Sequence, residues 1–266
     1  MKNLSLILVL ALVCACNQTI KLDLPTHNSQ LVVEFYLENA MPLRCLLQES
    51  VSFTAPPQNP LIQGATVIVS YNGTSDTLKY GIAIDTLTQK IYNYTAKKIL
   101  IAQPNTTYNL SIRDTKGRVL TGSTHFISPV PIEKFDYVFN PKDSVSVGIF
   151  FRDPANVDNF YRAIAYKQKP RIQINERADI QLADLTFSGQ LFGFYTDYVF
   201  TKKDTIAMRL YSLLPEHYTY AESIEDAARA NLNPFAQPAT LRSNVKGGLG
   251  IFTTLNFDEK KDIILK

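Results

Sequence analysis

Tryptophan is absent from the 266 residues, and cysteine, methionine and histidine occur three times each. Each scarcity closes off a class of chemistry. His27, His125 and His217 are not at metal-ligand spacing and have no Cys-x-x-Cys partner, so no zinc-type motif can be written. The Gly-x-Ser-x-Gly elbow, His-Glu-x-x-His and the phosphate loop are missing too. No catalytic and no cofactor-binding residue is therefore identified. The formal charge is only +3, with no basic block, which argues against nucleic acid as a partner. Without tryptophan, a glycan-stacking platform lacks its largest aromatic ring. After the first residues, no apolar run reaches the roughly 17–25 positions that a membrane-spanning helix needs.

What is present begins at the N-terminus. Lys2 is followed by an apolar run from Leu4 to Val13, broken only by Ser5, and then by Val13-Cys14-Ala15-Cys16. The run is too short to span a bilayer and has the layout of a secretory signal. Its end looks like the lipobox of bacterial lipoproteins, in which a small residue precedes the cysteine that is acylated. Bulky Leu12-Val13 stands before Cys14, so Cys16 is the expected lipidation site. Residues 1–15 then read as a signal peptide and 16–30 as a tether carrying Pro25. Two or more acyl chains give stable anchoring where one does not. The membrane is thus the first expected partner. The choice of periplasmic or cell-surface face is left open. Cys45, among Leu43, Arg44, Leu46 and Leu47, has no disulfide partner and reads as a buried, inert thiol.

The body reads as β-structure. Leu31 to Leu37, Arg44 to Val51 and Ala65 to Tyr71 are strand-like, the last placing Ala65, Val67, Val69 and Tyr71 on one face. Asn72-Gly73 is a type I′ hairpin signal. Asp76 to Tyr80 returns, Thr107 to Arg113 buries Tyr108, Leu110 and Ile112, and Val119 to Phe126 pairs back. This spacing predicts an immunoglobulin- or transthyretin-like antiparallel sandwich over 31–128. Two prolines in Ser128-Pro129-Val130-Pro131-Ile132 mark a linker at 129–132. A second β-rich domain is expected over 133–257, with strands at Val145–Phe151, Tyr161–Tyr166, Arg171–Asn175, Tyr195–Thr201, Asp204–Leu213 and Gly248–Leu255. Its one helix is placed near 215–230, with an apolar stripe of Tyr220, Ile224, Ala227 and Ala228. Residues 258–266 read as a charged, exposed tail.

Three stretches offer local chemistry. Asp153, Asn156 and Asp158 put oxygen ligands for calcium in one loop, with turn formation as the competing account. In the aromatic run Phe192 to Phe200, alternation turns Phe192, Phe194, Thr196, Tyr198 and Phe200 inward and leaves Tyr195 as the candidate partner contact. Asp76-Thr77-Leu78, Asp85-Thr86-Leu87, Asp143-Ser144-Val145 and Asp204-Thr205-Ile206 resemble a short envelope O-glycosylation acceptor. The glycines of Gly248-Leu249-Gly250 suit a bulge or close packing against the helix rather than a dinucleotide loop.

Six blocks together resemble one family. They are Leu31 to Glu34, Gly64 to Val67, Phe151 to Pro154 with Asn159 to Arg162, Asp184 to Gly189, Asn233 to Pro238, and Ser243 to Phe252. They are similar to a lipoprotein family of Bacteroidota numbered forty-two forty-nine among domains of unknown function. Its members are often encoded beside TonB-dependent outer-membrane receptors. The resemblance implies an accessory role in uptake or envelope assembly, and together with Cys16 it leads to the expectation of a non-enzymatic outer-membrane lipoprotein, an accessory or ligand-capture partner of such a receptor. It supplies no site residues. The alternatives are a free-standing envelope adhesin or structural protein, and an envelope hydrolase using carboxylates such as Asp153, Asp158 or Asp184.

Overall fold

The computed structural model describes residues 27–52, 55, 56, 58, 60–169, 174–232 and 239–265. The predicted signal, Cys16, the start of the tether and the whole Asn233–Pro238 block lie outside the described residues.

The first half contains strands β1 (Leu31–Glu38), β2 (Met41–Glu49), β3 (Thr66–Tyr71), β4 (Thr74–Ile84), β5 (Ile91–Leu100), β6 (Thr107–Arg113) and β7 (Val119–His125). The second half contains β8 (Ile132–Phe139), β9 (Ser144–Arg152), β10 (Phe160–Lys167), β11 (Arg177–Ala183), β12 (Leu191–Tyr195), β13 (Phe200–Thr201) and β14 (Thr205–Leu213). Helix α1 (Pro215–Leu232) and strand β15 (Leu249–Ile263) close the chain.

Eleven strands form one continuous path in the order β11-β10-β14-β15-β1-β2-β5-β4-β3-β6-β7, while β8, β12 and β13 pair with β9 in a smaller sheet. The long path folds over itself in the first half because β4 changes partners. Its residues 74–78 pair with β3 and its later residues with β5 across a register shift. The sheet β1-β2-β5 and the sheet β3-β6-β7 then face each other over Val33, Phe35, Cys45, Val69, Tyr108 and Leu110. In the second half, β10-β14-β15 faces the β9 sheet over Val147, Ile149, Phe151, Tyr161, Met208 and Leu210. The result is two β-sandwiches, mainly antiparallel, with one α-helix among the described residues.

Strand β15 belongs to both. Residues 249–255 run parallel to β1, and residues 256–263 run antiparallel to β14. At about 3.3 Å per residue, fifteen residues are long enough to serve two sandwiches in succession. This corrects two expectations. Phe252 and Val245 complete the first core, so the second half is not confined to its own domain. Residues 258–263 are strand rather than tail. Their charges have partners far away in sequence: Asp258 accepts from the Ile132 amide (2.9 Å), Asp262 from the Tyr137 hydroxyl (2.6 Å), and Glu259 from Arg209 (2.6 Å). The glycine pair is also reassigned. A Cβ at Gly248 or Gly250 would collide with the carbonyls of Leu31 and Val33, and Gly250 has φ +117°. These glycines let β15 approach β1, not the helix.

The type I′ turn is present, with Asn72 and Gly73 both at positive φ (45° and 71°). Strands β5, β8 and β11 were not legible. The strand expected at Arg171–Asn175 is replaced, in its described part, by a 3₁₀ turn over Ile174–Glu176 that leads into β11. Cys45 is fully buried without a partner, and burial pushes its thiol well above the ordinary range.

Candidate functional site

Alternation puts one residue in two on the outer face of each shared strand. On β1 these are Glu34, Tyr36 and Glu38; on β10, Arg162, Ile164 and Tyr166; on β14, Ala207, Arg209 and Tyr211; on β15, Leu255, Phe257 and Glu259. Where β1 and β14 flank β15, Tyr36, Glu38, Arg162, Tyr166, Arg209, Tyr211 and Leu255 from these faces form the floor of a cleft of about 390 Å³. The β4–β5 hairpin makes one wall with Ile84, Asp85, Leu87, Thr88, Lys90 and Tyr92. Helix α1 makes the roof with His217, Tyr220 and Ile224. The volume falls in the range of small-molecule sites, which is about 300–1,000 Å³.

Local chemistry positions each part. Pro215 takes the first helical turn, where its missing N–H costs nothing, and Glu216 suits the positive end of the helix. His217, Tyr220 and Ile224 then share a face at i, i+3 and i+7. The hairpin tip is tied by Asp85, whose Oδ1 accepts the Leu87 and Thr88 amides (2.8 and 3.2 Å). Its Oδ2 pairs with Arg44 at 3.2 Å.

The floor is charged but locally balanced. Glu38 accepts from Arg44 (3.2 Å), Arg209 (3.3 Å) and the Tyr211 hydroxyl (3.4 Å), joining β2 of the first sandwich to β14 of the second. Burial pushes the Glu38 carboxyl up from its ordinary value, against the pull of Arg209 and Arg44. Arg209 also holds Glu259 and lies 4.4 Å from the Phe257 ring centre. Arg162 grips Asp179 with two bonds (2.7 and 2.6 Å). Lys90 pairs with Glu34 and sits 4.5 Å above the Tyr36 ring.

Two residues that line this cleft each carry a buried side-chain atom with no hydrogen-bond partner among the described residues: His217 Nδ1 and Thr88 Oγ1. His217 is only 4% exposed, and its ring lies 5.4 Å from that of Tyr36. Burial, helped by the charges of Arg162 and Lys90, lowers its pKa to about 3. The imidazole is thus neutral at physiological pH and offers one N–H and one lone pair. His217 is therefore a buried residue of the helix rather than a surface one. Its place on the Tyr220–Ile224 face was the available signal. The helix buries His217, Tyr220 and Ser223 and leaves Ala228 exposed, so the predicted stripe is rotated.

The other candidates lie elsewhere. Asp153 is 2% exposed and committed inward, accepting from the Tyr161 hydroxyl (2.5 Å) and the Gly189 amide (2.9 Å). Asn156, at φ +64°, and Asp158 are exposed, so the three are not gathered into one oxygen cage. Asp184 is buried and takes part in a turn with Phe187. No cluster of three His, Cys, Asp or Glu suited to a metal exists among the described residues. Tyr195 is 45% exposed, donates to Asp136 (3.3 Å) and packs its ring against Phe150. Tyr198 is exposed rather than inward because β12 ends at Tyr195, before the turn into β13. His27 meets the Ser50 carbonyl at 3.1 Å, and His125 is exposed on β7. Of the four acceptor-like triplets, Thr77, Thr86 and Thr205 are exposed and Ser144 is half-buried.

A family model described as "Domain of unknown function (DUF4249)" matches residues 17–261. No curated protein matches the chain. Among solved structures, a cytokine receptor complex is 9% identical, with 70% of this chain and 86% of that chain covered and a TM-score of 0.29. The chicken CNTN1 FN1-FN3 domains are 10% identical, with 89% and 67% covered and a TM-score of 0.29.

Proposed function

The chain belongs to the family of this uncharacterised domain, and from that premise we propose that it is a lipid-anchored outer-membrane lipoprotein acting as a ligand-capture partner of a TonB-dependent receptor. The observation that carries the capture role is the cleft over the shared sheet face. It has the volume of a ligand site and keeps His217 Nδ1 and Thr88 Oγ1 unpaired. An unpaired buried polar atom costs on the order of 1–3 kcal/mol, which a ligand supplying the missing bond offsets. The anchoring role is supported by the Val13-Cys14-Ala15-Cys16 motif, with acyl chains on Cys16.

The reading is non-enzymatic. Of the carboxylates considered for hydrolysis, Asp153 and Asp184 are buried in structural hydrogen bonds, Asp158 is exposed, and none of the three lines the cleft. Capture for a receptor also needs a contact surface, and Tyr195 on the far sheet is the exposed aromatic we assign to it. The test is a pull-down from native membranes in mild detergent through a tagged chain. Recovery of a TonB-dependent receptor supports the role. Surface exposure on intact cells with no receptor recovered would replace it with the free-standing adhesin.

A further inference from the structure

We propose that the cleft selects an uncharged, hydroxyl-rich ligand of short-saccharide size, held by His217 and Thr88. The inference rests on the cleft being the ligand-holding surface and adds the ligand's chemical class. Among the described residues four cations line the cleft, and each already has an acid: Arg44 has Glu38 and Asp85, Lys90 has Glu34, Arg162 has Asp179, and Arg209 has Glu38 and Glu259. An anionic ligand would have to displace these carboxylates, and a cationic one would compete with the guanidinium groups. Either exchange sacrifices an ion pair that is partly shielded from water.

The unpaired atoms ask for something else. A neutral imidazole presents a donor and an acceptor, and a threonine hydroxyl does both. A ligand hydroxyl can answer either, because it also donates and accepts. The paired guanidinium and carboxylate groups keep N–H donors and lone pairs beyond those used in their ion pairs, which suits further hydroxyls. Ile84, Leu87, Ile224 and Leu255 supply the apolar surface that the C–H face of a sugar ring would cover. The Tyr36 and Tyr92 faces already carry Lys90 and Arg44, so recognition is by hydrogen bonds and aliphatic contact rather than by an aromatic platform. The lack of tryptophan is consistent with that mode.

The test titrates the full mature chain with three matched probes: methyl β-cellobioside, its uronic acid and its 2-amino-2-deoxy counterpart. Binding is followed by calorimetry and by the imidazole nitrogen shifts of His217, assigned with His217→Gln. The expected result is a shift of the His217 ring with the neutral glycoside and affinity at least about tenfold above either charged probe. His217→Phe and Thr88→Val should each lose binding by about tenfold or more. Thr88→Val keeps the test valid if the helix variant fails to fold. Tighter binding of a charged probe overturns the ligand class but leaves the cleft as a binding site. Binding of no probe, or binding that leaves His217 unshifted, overturns both.

Discussion

The two faces of the shared strands teach opposite lessons. On the inner face, β1 contributes Leu31, Val33, Phe35 and Leu37, each at 0% exposure. On the outer face, the same strand contributes Glu34, Tyr36 and Glu38. Strand β14 repeats the division, with Ile206, Met208 and Leu210 inward and Arg209 and Tyr211 outward. The inner face is dry and held by packing. The outer face is a network of ion pairs and tyrosines, and the hairpin and helix above it leave two polar atoms unpaired among the described residues. One face supplies stability, and the other stores recognition at a cost in stability.

That division makes ordered predictions. The largest effect belongs to the inner face. Phe252 meets Phe35 edge-on at 5.4 Å and joins the last strand to the first core. Phe252→Ala should lower unfolding free energy by about 3–5 kcal/mol, measured by urea titration. A loss below about 1 kcal/mol would mean β15 is not part of that core.

Next is a pH effect on the outer face. The folded-state pKa of His217 lies near 3, below the value of about 6.5 in the unfolded chain. Between those values the unfolded chain binds the extra proton. The stability this group contributes is therefore complete above pH 6.5 and is lost as pH falls toward 3. The slope is at most about 1.4 kcal/mol per pH unit. His217→Gln should flatten the decline in melting temperature between pH 6.5 and 4.5, and an unchanged slope would place the titrating group elsewhere. Glu38 acts with the opposite sign, since its raised pKa favours the folded state most strongly at low pH.

A smaller effect is expected at Arg162–Asp179, a bidentate pair on the outer face. Asp179→Asn should cost about 1 kcal/mol or less, by the measure of ordinary near-surface pairs. The smallest lies farthest from both faces. Tyr195→Ser should change stability by no more than about 0.5 kcal/mol yet reduce receptor recovery in the pull-down. Undiminished recovery would remove Tyr195 from the contact.

How far the sequence was legible follows the same divide. Strands whose inner face is purely apolar, such as β3, β6 and β9, show clean alternation and were placed within a residue or two. Strand β5 hid because Tyr92, Asn93 and Tyr94 are buried in succession, with Asn93 bonding the Leu47 amide and carbonyl and the Ile62 carbonyl. Bulges on both sides of it break the period. The end of β15 looked like a solvated tail because its charges answer Arg209 and Tyr137, which no local pattern connects to it. The cleft was invisible for a related reason. Glu38 and Arg209 stand 171 positions apart, and only the topology of β15 brings them together. The class of fold could be read from alternation, but the site required knowing which strands become neighbours.

Occupancy of the outer face can be read most directly by native mass spectrometry of the chain purified from its own membranes. The account predicts a species heavier than the acylated polypeptide by the mass of one small uncharged ligand, and loss of that increment in His217→Phe. A wild-type mass equal to the acylated polypeptide alone, or an increment that survives His217→Phe, would contradict it.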